Sequence, residues 1–367
     1  MMEKGKISSG QMGVLLYPAI IATAVLAVPS ITMKLAGHDM WMSPIWALPS
    51  ALGTLLIAFR LNRHYPGKSF VESSYSILGS VGGRLFGLLY MFYLPHLNGI
   101  ILREYGEFIL STVLSHTPLF VVMGTLMLIC AVNVRSGIEV IGRSGQLLVG
   151  LMVVLLTLIL LLLVPEMEPE QFLPFMEKGV KPSFLGAISP ASWFSEYILV
   201  SFLLPFVSDR SKALRASLRS VGFVLASMLA VNISCLLLFG DTTDSYVYPV
   251  MIAARFISFA DFLQHLEALI VAIWVAGIFV KISLFHYVHA VTAAQWLKLE
   301  DYRPLVFPLA FLTTVYSYWV VGNQTEAGAL VGAGGNLYTL FMLLVIPGIL
   351  WAISEIKERL HTRRAGP

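Results

Sequence analysis

The stretch YPAIIATAVLAVPSIT, residues 17–32, decides how the rest of the sequence is read. It lies inside a run without Asp, Glu, Lys or Arg that lasts 27 residues, from 7 to 33. A helix needs about 20 such residues to cross the hydrocarbon core of a bilayer. Pro18 and Pro29 bracket a cluster of small side chains, Ala22, Thr23 and Ala24. Proline withholds a backbone donor, and small side chains admit a second backbone or a ligand. The helix is therefore expected to be interrupted between 23 and 27 or to pack closely on a neighbour. Residues 22–24 resemble a signal-peptidase site, but the apolar run outlasts a signal peptide, so a retained first helix is expected.

The same pattern recurs along the chain. Runs free of charged residues cover 40–59, 85–102, 108–134, 144–165, 220–240, 304–325 and 327–354. Two further apolar stretches, about 183–208 and 262–295, are each broken by one internal charge, Glu196 and Lys281. Ten spans in one transmembrane domain are expected. Across 367 residues, 57% are hydrophobic and 12% charged, about half the charge of a soluble domain, which excludes a water-soluble fold. A net charge of +3, scattered along the chain, gives no reason to expect nucleic acid. Cys130 and Cys235 stand alone in apolar segments, so neither a disulfide framework nor a zinc cluster is expected.

With ten spans and a cytoplasmic N-terminus, 18 of the 24 basic residues fall on the inner side, the asymmetry that sets orientation in membranes. Both termini are then cytoplasmic. The longest outer loop, about 166–182, divides the spans into a first half (1–165) and a second half (166–367) of five each. An odd number per half makes the second half enter from the opposite side, so the two would form an inverted repeat. Residues 67–83 have a short amphipathic pattern and are expected to form an interfacial helix on the inner face. Trp41, Trp46, Trp296, Tyr302 and Trp351 fall near span ends, where such rings anchor at the headgroup layer.

The charges left inside the spans mark where chemistry can occur, because a carboxylate or ammonium in lipid needs a partner or a wet cavity. In span 6 (SPASWFSEYILVS, 189–201), Ser189, Ser192 and Glu196 are spaced three and four apart and share one helix face. In span 8, Glu267 and Lys281 lie on one face with Trp274, about 21 Å apart along the axis, too far to pair. Lys281 needs a partner, neutralisation or a snorkelling route to the cytoplasm, and a buried amine could occupy the place a coupling sodium takes elsewhere. In span 3, His96, Arg103 and Glu107 share a face with Glu104 alongside, and Arg103 and Glu107 are placed for an i,i+4 pair near the outer end, as an outer gate or a structural pair. His286 and His289 have metal-pair spacing without a third ligand and are expected at the interface. No phosphate-binding GxxxxGK[ST], zinc-binding HExxH or nucleophile-elbow GxSxG is present, and the glycines of 332–335 lack the preceding strand of a dinucleotide fold. Neither an enzyme nor a cofactor is expected.

The segments KISSGQMGVLLYPAIIATAVLAVPS (6–30), FVESSYSILGSVGGRLFGLLY (70–90), FSEYILVSFLLPFV (194–207) and HLEALIVAIWVAGIFVKISLFHY (265–287) together resemble the endospore germination permeases, the B subunits of nutrient germinant receptors. The resemblance covers nearly the whole chain. It implies the fold of the amino acid/polyamine/organocation transporters, an all-α integral membrane bundle with a five-plus-five inverted repeat and discontinuous helices 1 and 6. The breaks would fall at 22–27 and 194–197, with Ala and Thr where the family often has Gly. It implies a small nutrient ligand, an amino acid above all, partner A and C subunits, and the spore inner membrane. A zwitterion would present its carboxylate to the exposed amides of a half-helix. Midplane depth nominates Thr23, Ala24, Val25, Tyr93, Leu97, Phe194, Ser195 and Trp274 as ligand contacts, with Glu196, Lys281, Arg103 and Glu107 for coupling or gating. The rival expectation is a proton- or sodium-coupled amino acid transporter.

Overall fold

The computed structural model describes residues 3–257, 266–320 and 333–364. The first five helices are α1 (Ser9–Ala36), α2 (Leu48–His64), α3 (Phe70–Thr112), α4 (Leu119–Arg135) and α5 (Ile138–Leu163). After a long connection come α6 (Lys181–Phe206, a chain of α and 3₁₀ pieces), α7 (Ala213–Phe239), α8 (Glu267–Leu297) and α9 (Arg303–Trp319). The last, α10, joins Ala333–Leu340 to Ile346–Arg364 through a π-turn at Phe341–Val345. Among the described residues, seven helical stretches are long and apolar enough to cross a bilayer, and α4 is a shorter apolar helix. This is a multi-pass membrane protein.

Its architecture follows from which face of each helix needs company. On α5 the side chains of Leu147, Leu151, Val154, Leu158 and Leu161 recur every three or four residues and are exposed, while Val149, Met152, Leu156, Ile159 and Leu163 are buried. An apolar exposed stripe backed by an apolar buried one is what a lipid-facing helix requires. By contrast α1 sits at the centre, packed on α5, α7 and α8, with few side chains exposed.

Helix 1 is not interrupted, contrary to the break at 22–27 that the resemblance implies; of the two expectations from its small residues, close packing is the one observed. The α-helix runs unbroken through Pro18 and Pro29 from Ser9 to Ala36. The small residues serve close packing instead: a Cβ placed on Gly277 of α8 would lie 3.1 Å from the Cβ of Ala22. Helix 6 does change character where expected. The α-helix Ile188–Ser195 passes into a 3₁₀ turn, Glu196–Leu199, before Val200–Leu203 resumes. Ser192 and Ser201 donate their hydroxyls to carbonyls three residues back, at 2.8 and 2.7 Å, the local competition that bends helices.

The amphipathic segment 67–83 does contain a short helical arm of its own, from Phe70 to a kink at Gly79. Ser69 and Glu72 form a capping box that starts α3, and the helix turns at Gly79, whose φ of +78° excludes most side chains. The folded-back arm lies so close that a Cβ on Gly83 would be 2.6 Å from Tyr75 Cα. At its far end α3 continues to Thr112, so 103–107 lies in helix, as its common face with His96 in span 3 implied. An unforeseen short helix, Pro249–Phe256, lies between α7 and α8, and the first residues expected in span 8, 262–265, fall outside the described residues, as do 321–332 between spans 9 and 10.

Contacts close both ends of the bundle. At the N-terminal end Ile7 pairs with the strand-like segment after α6, its N–H donating to Phe206 O at 3.0 Å and its carbonyl accepting from Ser208 N at 2.9 Å. Asp209 accepts from Ser9 N and Ser9 Oγ at 2.6 and 2.9 Å, which holds its carboxyl below the usual range. Glu3 accepts from Ile138 N and from the Tyr302 hydroxyl at 3.2 and 2.9 Å. At the opposite end Trp41 stacks on Phe172 and Phe175 of the long connection, and Asp39 accepts from Met176 N at 3.0 Å.

Candidate functional site

Lys281 lies near the middle of α8, 14 residues from its first residue and 16 from its last, with its side chain fully buried. A four-methylene stem cannot reach either end, which removes the snorkelling route. Its Nζ donates to Glu196 Oε1 at 3.1 Å and to Thr23 Oγ1 at 3.0 Å, and lies 2.9 Å from Glu196 Oε2. The ring of Phe285, one turn on, faces the ammonium at 5.7 Å. Three residues singled out separately on spans 1, 6 and 8 thus form one contact.

Local structure explains how each arrives there. Thr23 sits in the small-residue stretch of α1, so its hydroxyl is not screened by bulk. Glu196 is the first residue of the 3₁₀ turn of α6, and the face it shares with Ser189 and Ser192 is indeed one face. Above Glu196 the carboxamide of Asn336, on α10, donates to Ser189 Oγ at 2.7 Å and accepts from Ser192 Oγ at 2.5 Å. One face of α6 is therefore tied to α10 by neutral groups and to α8 by charge. The π-turn of α10 loosens its own backbone bonds nearby, and the Tyr90 hydroxyl takes up Met342 O at 2.6 Å.

Thr23, Glu196 and Lys281, with Ser192 and Asn336, line a cavity of about 60 Å³. At about 10–15 Å³ per water position it holds on the order of five waters, or a ligand of that many heavy atoms. Thr23, Leu97, Glu196 and Lys281 of the nominated residues line it. His96, Ile100, Ile101 and Glu104 add a face of α3, while Ser192 and Trp193 of α6 and Asn336, Tyr338 and Thr339 of α10 close it.

Other nominated residues lie elsewhere. Ala24 and Val25 are buried in the packing of α1, and Phe194 stacks on Tyr197 with ring centroids 6.3 Å apart. Ser195 donates to Ser192 O, and Tyr93 packs edge-on to Tyr338 at 5.7 Å behind the cavity wall. Trp274 is sandwiched by Tyr105 and Phe108 toward the start of α8, at 5.9 and 4.1 Å. Arg103 and Glu107 do pair, Nη2 to Oε1 at 2.7 Å and Nε to Oε1 at 2.8 Å, within the last few turns of α3 before Thr112. His96 and Arg103 both meet α9, through the Tyr316 hydroxyl at 2.8 Å and the Tyr318 ring at 5.8 Å. Glu104, one residue round the helix from Arg103, turns into the cavity. His286 and His289 are buried in the core and not interfacial; His286 Nε2 contacts Val306 O at 3.0 Å.

The sequence left Glu104 and Asn336 out of the candidate set. Glu104 was visible as a charge inside helical register but was overshadowed by the i,i+4 pair beside it. Asn336 had no signal, since an isolated amide after a glycine run reads as a turn.

The family model described as "Spore germination protein" matches residues 6–325. Spore germination protein KB of Bacillus subtilis (strain 168) is 25% identical over 376 residues, covering 100% of this chain and 99% of that one. Spore germination protein XB of Bacillus anthracis is 26% identical over 274 residues, with 72% and 74% covered. Among solved structures, MhsT in complex with L-phenylalanine superposes with a TM-score of 0.66 at 13% identity, over 96% of this chain and 89% of that chain. A Na⁺-coupled sialic acid symporter in a substrate-bound outward-open state gives 0.65 at 11% identity, over 95% and 88%. At such identities the likeness establishes the transporter fold alone, while the family match, which spans most of the chain, concerns permease-type membrane proteins and not enzymes. The chain belongs to the spore germination protein family of permeases, built on a transporter fold.

Proposed function

We propose that this protein is the B subunit of a spore nutrient germinant receptor, which binds a small nutrient, an amino acid above all, in the cavity between α1, α3, α6, α8 and α10. The observation that carries the reading is the contact of Lys281 with Glu196 and Thr23 on the wall of that cavity. An ammonium shared between a carboxylate and a hydroxyl on two other helices is a junction whose partners a ligand can exchange. A ligand carboxylate that takes a proton donor from Lys281 weakens its hold on Glu196, and α6 and α8 lose a tether. A shift between two packings of these helices is all a sensor must send to its partners. The A and C subunits as those partners, the spore inner membrane, cytoplasmic termini and ten spans in two inverted halves of five belong to the same proposal, supported by the family match and the charge asymmetry of the sequence.

The test is germination of spores from a deletion strain, screened against single amino acids and sugars. Loss of response to one nutrient, restored by the wild-type gene but not by Leu97→Trp at equal protein level, is the expected result, because the indole fills the cavity. A deletion strain that answers every nutrient normally defeats the proposal. The likeness to a Na⁺-coupled symporter favours a second reading, coupled uptake of amino acids. Saturable, ion-dependent uptake into vesicles holding this chain alone would select it.

A further inference from the structure

Once the partnered groups of the cavity are set aside, one acid is left over. Lys281 and Glu196 balance each other, and Ser192 and Asn336 hold each other. His96 engages the Tyr316 hydroxyl and lies eight residues, about 12 Å, along α3 from Glu104, too far to compensate it. Arg103, its chain neighbour, is taken by Glu107 on another face. Glu104 lines the cavity, half-buried, in the electrostatic reach of both Lys281 and Glu196, and makes no hydrogen bond or ion pair among the described residues. Between it and His96 the wall of α3 is apolar, Leu97, Ile100 and Ile101.

A carboxylate inside a membrane bundle that lacks a protein partner is costly unless something else completes it. We infer that Glu104 is the cavity's ammonium-recognising residue, so that the site selects small ligands carrying a protonated amine. The inference rests on the proposed ligand cavity. Opposed charges then sit on two walls: Lys281 on α8 offers its remaining N–H to a ligand carboxylate, and Glu104 on α3 receives the ligand's ammonium. An uncharged sugar would leave Glu104 unpaired, and a simple carboxylic acid would add a second negative charge beside it. The site is therefore expected to discriminate against both, the first by an unmet hydrogen bond and the second by repulsion.

The experiment is equilibrium binding to the purified full-length chain. The twenty common amino acids are screened first, then the best binder is compared with its desamino analogue, the same acid with hydrogen in place of the amine. Wild-type protein is expected to prefer the amino acid by at least about tenfold, the range of a charge-assisted hydrogen bond. Glu104→Gln should collapse the preference by about ten- to hundredfold, mainly through weaker amino acid binding, and Glu104→Asp should keep part of it. An unchanged ratio in Glu104→Gln, with binding still blocked by Leu97→Trp, overturns the role of Glu104 and leaves the cavity reading standing. Binding that Leu97→Trp does not disturb, or none by any amino acid, overturns both. If Glu104→Gln does not fold, the ratio is read in Glu104→Asp, where no change overturns the inference equally.

Discussion

Two of the ion pairs among the described residues, Arg103–Glu107 and Lys281–Glu196, differ in what they join. Arg103 and Glu107 are four residues apart on α3, and their contact fixes nothing that the helix has not already fixed. Glu196 and Lys281 are 85 residues apart, and Thr23 is 258 from Lys281, so their contact exists only when three helices are docked together. The first pair keeps a quarter of the Glu107 side chain exposed, whereas both partners of the second are at most 2% exposed. A local pair tunes one element. A long-range buried pair carries information about how elements are packed, and only such a pair can report on a ligand.

The largest effect expected from this contrast is on removing one partner of the buried pair. Lys281→Met leaves the Glu196 carboxylate buried with no countercharge, a change worth about 3–5 kcal/mol. The melting temperature of the detergent-solubilised protein should fall steeply, and Lys281→Met combined with Glu196→Gln should recover much of the loss because no lone charge remains. A double variant no better than the single one would show that the pair is not the unit described here. Arg103→Met should cost less, about 1 kcal/mol, the combined worth of an i,i+4 pair whose Glu107 end keeps contact with solvent and of a cation–π contact. If Arg103→Met proved as damaging as Lys281→Met, the distinction between local and long-range pairs would collapse.

The difference also shows what the sequence could reveal. Thr23, Glu196 and Lys281 stood out one at a time, because a polar group in an apolar run is conspicuous and its membrane cost is general. Their meeting was not legible, since helical periodicity gives the face of a residue but not the helix it faces. The change to 3₁₀ at Glu196 was implied only by the resemblance, which places a break at 194–197. The integrity of α1 was not legible, because proline and small residues allow an interruption and close packing equally, and only the approach of Gly277 to Ala22 decides between them. Glu104 was visible in span 3 beside Arg103 and Glu107, but the i,i+4 spacing of those two accounted for the charges without it, and only the packing of α3 shows that Glu104 forms a wall of the cavity.

The smallest effect tests the edge of the comparison, where a pair is both long-range and solvated. Asp209 is 200 residues from Ser9, further than Glu196 is from Lys281, yet its carboxylate is open to water. The two hydrogen bonds from Ser9 hold its carboxyl below the ordinary value near 3.9. A depressed folded value means that the bonds stabilise the protein fully above the unfolded value, and that this contribution fades as pH falls through the lower, folded one. Asp209→Asn should therefore melt slightly below wild type at neutral pH, and the gap should close on acidification below about pH 4. If the gap stayed constant down to pH 3, the carboxylate charge would not be what holds the N-terminal segment to α6. If it rivalled the loss in Lys281→Met, remoteness in sequence alone, and not burial, would set the strength of a tether. A small gap is expected instead, because water solvates the Asp209 carboxylate once its partner leaves, whereas Glu196 is buried away from it.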